Sequence, residues 1–141
     1  MTLKGFSHIG LSTRDLDRTR DFYEHVLGFR PVRCDVLKVK EGGQIRHIFF
    51  DTGRDQLIAF MEARDVPGVP ADYDAGINRG LGVPSAFYHF AFETGSEAAL
   101  EDKRRKPAAC KVGCGSQAVM PATDHNCVVG LATTIHRKLV D

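Results

Sequence analysis

Two histidines at matching positions of a repeated segment are the residues best suited to chemistry. His8 lies in the segment Phe6 to Thr13, and His89 lies in the similar segment Phe87 to Thr94, 81 residues later. An imidazole can bind a divalent metal ion or exchange a proton near neutral pH. The repetition indicates a duplicated module with one functional site between its two copies.

The first copy is predicted to begin with a strand that has one core face. Polar and apolar residues alternate from Phe6 to Thr13, which is the pattern of a half-buried strand. Ile9 and Leu11 fall on the side expected to face the core, so we expect His8 on the opposite side.

A helix is predicted to follow this strand. Asp15 is a candidate N-cap, and Gly28 is a candidate left-handed residue at the end of the helix. Apolar and small residues recur at helical spacing and form the face expected to pack on the sheet: Leu16, Thr19, Phe22, Tyr23, Val26 and Leu27.

Three further strands complete the predicted first module, residues 1–62. They cover Phe29 to Val39, Ile45 to Thr52 and Gln56 to Glu62, with glycine-containing turns between them. His47 lies on the middle strand and is a candidate acid–base residue. Alternating residues of the last strand share one face, namely Gln56, Ile58, Phe60 and Glu62.

Residues 63–86 are predicted to link the two modules. They contain three prolines and four glycines, and loops of this length often form lids or connect modules. Tyr73 and Arg79 lie in this loop and could reach a substrate, whereas a surface tether is the alternative interpretation.

The second module, residues 87–141, repeats only the beginning of the first. Ser96 takes the capping position of Asp15, and a polar helix is predicted from Glu97 to Lys106. Phe92 is the last aromatic residue of the chain, so the module is divergent or disrupted after about residue 106. A shifted reading frame is one hypothesis for this change in composition.

The composition indicates an ordinary globular domain. The 141 residues are 43% hydrophobic and carry a formal net charge of +1, so no overall field favours nucleic acid or a membrane surface. No apolar run is long enough to span a bilayer, and no signal peptide is recognisable. We therefore expect a cytoplasmic protein whose four cysteines are free thiols.

A rival metal site involves residues near the C-terminus. Their types suit structural zinc, although the spacing is not a common one for such sites. The residues are Cys110, Cys114, His125 and Cys127.

The first module resembles the vicinal oxygen chelate superfamily, which includes glyoxalase I, bleomycin-resistance proteins, fosfomycin-resistance enzymes and extradiol dioxygenases. The likeness lies in His-Ile-Gly-Leu-Ser-Thr, Asp-Leu-Asp-Arg-Thr, Phe-Tyr and Val-Leu-Gly-Phe, all between Phe6 and Phe29. It continues through Leu57 to Glu62 and Tyr88 to Phe92, and covers about residues 3–105. The aromatic strand, Asp-Pro-x-Gly turn and glutamate-bearing strand that usually end the family are missing from this sequence.

This resemblance implies an α+β fold in one domain, residues 1–141, in which paired βαβββ modules form a curved mixed-sheet cup around a divalent metal. The family's ligands lie on the first and last strands of each module. Carried onto this sequence, His8, Glu62 and His89 take the first three positions, and the fourth, a glutamate near the C-terminus, has no match. Two imidazoles and a carboxylate suit Fe, Mn, Ni or Zn.

The resemblance also implies a function. The leading hypothesis is a metal-dependent enzyme acting on a small oxygenated organic substrate, of lyase/isomerase or ring-cleaving dioxygenase type. The alternative is a non-catalytic small-molecule (drug) binding protein of bleomycin-resistance type. A third hypothesis is a folded or partly folded protein disabled by its C-terminal end. Small relatives commonly dimerise, so we expect a homodimer.

Overall fold

The first module of the computed structural model is an open four-stranded sheet with a helix on one face. The structure describes residues 5–84, 87–105, 118–121 and 128–133, the last two ranges and Arg104 as backbone only. The elements of the first module are β1 His8–Ser12, α1 Leu16–Asp21, a π-helical turn Phe22–Val26, β2 Arg30–Lys38, β3 Gln44–Gly53 and β4 Gln56–Arg64. The strand order is β1-β4-β3-β2, with β1 parallel to β4 and the other neighbours antiparallel.

The second module repeats this arrangement in the residues that the structure describes. After a short helix α2, Ile77–Gly80, it contains β5 His89–Thr94, α3 Glu97–Arg105, β6 Ala118–Pro121 and β7 Val128–Thr133. Its sheet has the order β5-β7-β6, and β5 is parallel to β7 as β1 is to β4. The predicted α+β fold is confirmed. Most of the segment predicted to be divergent lies outside the described residues.

The helix of the first module begins at the predicted N-cap and stops before the predicted glycine, but its last turn differs from the prediction. The Asp15 side chain accepts a hydrogen bond from the Arg18 amide at 2.9 Å, which confirms the N-cap. The expected α-helix widens into a π-helical turn, in which the Leu27 amide reaches the Phe22 carbonyl at 3.1 Å. Gly28 then has φ of 77°, the left-handed conformation that glycine adopts without strain.

One hydrophobic core joins the two modules. Tyr23 is buried at its centre, with its ring 4.6 Å from the Phe60 ring and 5.6 Å from the Phe50 ring, measured between centroids. Leu100 of α3 belongs to the same cluster of buried residues. Burial of large apolar side chains is the dominant favourable term in folding, so the second module gains stability from packing on the first.

The linker is attached to both modules. The Tyr73 hydroxyl donates to the Thr13 carbonyl at 3.0 Å, at the end of the first strand. The buried Asn78 side chain donates to the Tyr88 carbonyl and accepts from the Tyr88 amide, both at 2.8 Å. Arg79 forms an ion pair with Asp74 at 2.6 Å. Tyr73 and Arg79, the two linker residues considered for substrate contact, therefore make contacts within the chain.

Candidate functional site

The pairing register places His8 on the open face of the first sheet. Ile9 pairs with Ile58 and Leu11 pairs with Phe60 on the face that packs against the helix. His8 points to the other side, as the alternation predicted. We call this other side the His8 face. Its residues are His8, Gly10 and Ser12 of β1, Leu57, Ala59, Met61 and Ala63 of β4, Ile45, His47, Phe49 and Asp51 of β3, and Arg30, Arg33, Asp35 and Leu37 of β2.

The ring of Phe49 lies at the centre of the polar groups on the His8 face. The His8 ring meets it edge-on at 5.8 Å, and the His47 ring lies 4.2 Å away, between centroids. The Arg33 guanidinium carbon lies over the same ring at 5.8 Å from its centroid. Arg33 is held there by an ion pair with Asp35 at 2.7 Å. Two imidazoles, an aromatic ring and a charged pair are therefore brought together from three strands.

The two histidines of this face have different surroundings. His8 is exposed, and its Nδ1 lies 3.0 Å from the Ser7 hydroxyl. His47 is half-buried, and burial lowers its pKa below the usual value. The nearby positive charge of Arg33 also lowers the pKa of His47, whereas Asp35 raises it. His47 is therefore mainly neutral at pH 7 and can accept a proton.

Glu62 lies on the opposite face of the sheet from His8. Its side chain is 3% exposed and is paired with Arg46 at 3.0 Å and with Arg64 at 3.1 Å. Arg46 also bonds to Asp17 of α1 at 3.0 Å, which raises the pKa of the Arg46 guanidinium. This carboxylate joins the helix to the sheet, and the structure does not bring it to His8.

His89 occupies in the second module the place of His8 in the first. It is the first residue of β5, and it is exposed. It lines a cleft of about 900 Å³ between the modules, together with Phe6, Arg54 and Glu93. Arg54 and Glu93 form an ion pair across this cleft at 3.1 Å. His8 is not among the residues that line it.

The described part of the chain contains no group of three or more His, Cys, Asp or Glu residues that could hold a metal ion. The predicted set of His8, Glu62 and His89 is therefore not assembled within those residues. The rival set lies outside the described residues and consists of Cys110, Cys114, His125 and Cys127.

Three residues of the His8 face, Arg33, Asp35 and Phe49, were not predicted from the sequence. Alternation along the strand puts Arg33 and Asp35 on one face, so their position relative to each other can be predicted from the sequence. Their proximity to Phe49 and His47 depends on the register between β2 and β3, which pairs Arg33 with Phe49 and Asp35 with His47. A bulge between Pro31 and Arg33 sets this register, and no sequence pattern indicated it.

Comparison with protein families identifies the class to which this architecture belongs. The family model of the Glyoxalase/Bleomycin resistance protein/Dioxygenase superfamily matches residues 5–111, and the chain belongs to this superfamily. The resemblance seen in the sequence is thereby confirmed. No curated protein sequence matches the chain significantly.

Three solved structures illustrate the range of the fold. A mutant of the fosfomycin resistance protein FosX from Listeria monocytogenes, complexed with Mn(II) and dihydroxypropylphosphonic acid, is 19% identical with a TM-score of 0.64, and covers 99% of this chain and 100% of its own. Glyoxalase I from Leishmania major is 17% identical with a TM-score of 0.58, and covers 93% and 87%. TnmS3, an antibiotic binding protein from Streptomyces, is 15% identical with a TM-score of 0.58, and covers 94% and 98%. At these identities the likeness shows the fold.

The helices of the described ranges are all too short or too polar to cross a lipid bilayer.

Proposed function

We propose that this protein binds a small organic molecule on the His8 face of its first sheet. The observation that carries this proposal is the grouping of His8, His47 and Arg33 around the Phe49 ring. Binding sites for small molecules typically combine apolar and aromatic surface with a few polar groups that fix orientation. Two of the similar structures are of an antibiotic binding protein and of FosX with a small phosphonic acid, which supports the same general role.

The His8 face has room for a ligand beside the rings. A Cβ added at Gly10 would meet no atom of the described residues within 4 Å, so among these residues the face is open there. Met61, 42% exposed, adds apolar surface between Ser12 and His47. A ligand placed here would contact polar groups and apolar surface together, which favours oriented binding.

The superfamily also implies a divalent metal, and the residues present fit it only in part. Glu62 is committed to two arginines on the opposite face, so the set His8, Glu62 and His89 does not fit a metal within this chain. We therefore base the binding proposal on the protein's own side chains and do not propose Glu62 as a ligand.

Filling the open face tests the binding proposal. We expect Gly10→Leu to abolish binding of small probes such as benzoate, catechol and methylphosphonate to metal-free protein. Chemical-shift changes of backbone amides in β1, β3 and β4 would report binding. Gly80→Leu is the matched control, because Gly80 also has open space around its Cβ position and lies in α2. Equal binding by the two variants would contradict the proposal.

Metal-dependent chemistry is a second candidate function, favoured by the repeated histidine. His8 and His89 both begin a strand that pairs in parallel with the last strand of its module. In this candidate they are ligands of Fe, Mn, Ni or Zn, and His47 is the acid–base residue beside Asp35. The reaction would be that of a lyase or isomerase, or of a ring-cleaving dioxygenase, on a small oxygenated substrate.

Metal analysis by mass spectrometry tests this second candidate. We expect His8→Ala and His89→Ala to lower the metal content and Glu62→Gln to leave it unchanged. His25→Ala is the control, because His25 is an exposed helix residue paired with Asp21 at 3.1 Å. Metal content unaffected by His8→Ala would remove this candidate and leave the binding proposal standing.

We further infer that the protein forms a homodimer in the cytoplasm. β1 and β2 are the outer strands of the first sheet, and the unpaired backbone groups of an edge strand favour pairing with another chain. Sedimentation equilibrium tests this inference, and a monomer at all concentrations would contradict it.

A further inference from the structure

We infer that the ligand of the His8 face is a flat aromatic molecule bearing an acidic oxygen, and that Arg33 and Phe49 recognise it. The inference rests on the proposed binding function and adds the chemical class of the ligand. It comes from the way in which Arg33 is held, from the aromatic surface beside it, and from the balance of charges on this face.

Arg33 is oriented and keeps donors available. Its Nε pairs with Asp35 at 2.7 Å, and the guanidinium carbon lies over the Phe49 ring at 5.8 Å from the centroid. Within the described ranges its two terminal nitrogens make no ion pair or hydrogen bond. The arginine side chain is 67% exposed, so these nitrogens can reach a ligand. Guanidinium nitrogens in a fixed orientation match the geometry of a carboxylate or another paired oxygen group.

The surface beside Arg33 suits a flat ring. Phe49 is half-buried, and the His47 ring lies 4.2 Å from it with an angle of 50° between the two planes. Leu37 and Met61 are exposed and supply apolar surface on the same face. Aromatic rings stack or meet edge-to-face with gains beyond the area that they bury. A planar ligand uses these contacts better than a saturated ring of the same size.

The carboxylates of this face are already paired with arginines. The charged and titratable groups that β1, β2 and β3 place there are His8, Arg30, Arg33, Asp35, His47 and Asp51, and β4 adds none. Asp35 is bound by Arg33, and Asp51 is bound by Arg30 at 2.9 Å. The two arginines and the two carboxylates therefore cancel in charge. The two terminal nitrogens of Arg33, which have no partner within the described ranges, remain as donors for an oxygen anion.

Binding of matched probes tests the inference. The probes are benzoate, cyclohexanecarboxylate, which keeps the charge without the flat ring, and benzyl alcohol, which keeps the ring without the charge. We expect benzoate to bind about tenfold more tightly than either of the others, in line with one charge-assisted contact and one ring contact. The affinities of phenol and benzoate are also compared at pH values above and below the pKa of phenol. Tighter binding of ionised phenol than of benzoate identifies a phenolate as the preferred anion, and the reverse identifies a carboxylate.

Three variants assign the contacts. We expect Arg33→Gln to weaken benzoate about tenfold and to leave benzyl alcohol unchanged, whereas Phe49→Leu should remove the preference for benzoate over cyclohexanecarboxylate. Arg20→Gln is the control for charge, because Arg20 lies on α1 and pairs with Glu24 at 2.8 Å. Thermal unfolding of each variant identifies loss of binding caused by misfolding.

The outcomes separate this inference from the function on which it rests. Tight binding of benzoate that depends on Arg33 supports both. If all three probes bind with equal affinity, or if Arg33→Gln has no effect, the proposed ligand class is wrong. The proposal that the His8 face binds small molecules then still stands. If no probe binds, and the spectra of Gly10→Leu and of the unchanged protein respond equally to the probes, both the ligand class and the binding function are wrong.

Discussion

The turn from strand to helix is built in the same way in the two modules, whereas the described residues of the two modules contribute unequally to the core. In the first module the Thr13 hydroxyl donates to the Asp15 carbonyl at 3.1 Å. In the second the Thr94 hydroxyl donates to the Ser96 carbonyl at 3.2 Å. Even Phe6 and Phe87, two residues before each histidine, are both 69% exposed. The duplication is therefore preserved in local contacts.

The interior shows the difference between the modules. Among the residues whose side chains the structure describes, the buried cluster contains Tyr23, Phe50 and Phe60 of the first module and Leu100 of α3. Phe92 of β5 packs edge-to-face on Phe29 at 4.8 Å between ring centroids. A local turn can be kept by a few polar residues, whereas a buried core requires many apolar side chains, and in the described part of the chain these come mainly from the first module.

The largest expected effect tests whether the two modules share one core. Phe60→Ala should lower the free energy of unfolding by about 3–5 kcal/mol, and Leu100→Ala by about 2–5 kcal/mol, because each leaves a cavity among buried neighbours. If the core is shared, both variants shift a single denaturant transition. Met61→Ala, at an exposed position next to Phe60, is the control and should change stability little. A Leu100→Ala transition that splits into two would contradict a shared core.

A smaller loss of stability is expected from breaking the ion pairs that join the helix of the first module to its sheet. Glu62→Gln should lower the free energy of unfolding by about 1–3 kcal/mol, because the buried carboxylate that binds Arg46 and Arg64 becomes a neutral amide. Urea unfolding measures it. Glu24→Gln, which removes the partner of the exposed Arg20 side chain, should have little effect. If Glu62→Gln leaves stability unchanged and removes a bound metal, the structural role is excluded.

The helix caps should have similar effects in the two modules. Asp15 accepts from the Arg18 amide at 2.9 Å, and Ser96 accepts from the Ala99 amide at 3.2 Å. We expect Asp15→Ala and Ser96→Ala each to cost about 1 kcal/mol, since each leaves a helix amide without its acceptor. Thermal unfolding of the two variants side by side measures this. If Asp15→Ala lowers stability strongly and Ser96→Ala has no effect, the two caps do not contribute equally and this prediction is contradicted.

The smallest effect concerns the linker between the modules. The Arg79 side chain, with help from the Gly76 amide, lowers the pKa of Asp74 to about 2 from 3.8. A depressed carboxyl pKa contributes stability above pH 3.8, and that contribution is lost as the pH falls through about 2. Asp74→Asn should therefore reduce the acid sensitivity of unfolding in this range, measured by circular dichroism. Because Asp74 is exposed, solvent screening keeps the change small. An identical acid profile in both proteins would contradict the assignment.

Sequence patterns predicted most of the first module because they act over short distances. The N-cap at Asp15, the glycine at position 28 and the alternation in β1 depend on neighbours within a few residues, and all three were confirmed. The π-helical turn was not predicted, since the inward-facing residues Phe22, Tyr23, Val26 and Leu27 fit an α-helix almost as well. Within this turn the Tyr23 ring packs on Phe50 of β3 and Phe60 of β4, contacts between residues far apart in the sequence.

For Glu62, the alternation along β4 and the family resemblance lead to different predictions. Alternation places Glu62 on the same face as Ile58 and Phe60, which belong to the core. The parallel pairing of β1 with β4 aligns Leu11 with Phe60, so His8 and Glu62 point to opposite sides. The resemblance suggested a shared metal for these two residues, whereas the alternation along each strand already separates their side chains.

Short-range patterns in the sequence predicted the duplicated histidine strand, the helix caps and the core face of β1, and the resemblance predicted membership of the superfamily. The tertiary structure decided which strands are neighbours and in what register. It thereby groups Arg33, Phe49 and His47 on one face, and it pairs Glu62 with Arg46 on the other face. The physical reason is that alternation fixes the face of a side chain within its own strand. Contact across strands depends on backbone pairing, turns and a bulge that only the folded chain defines.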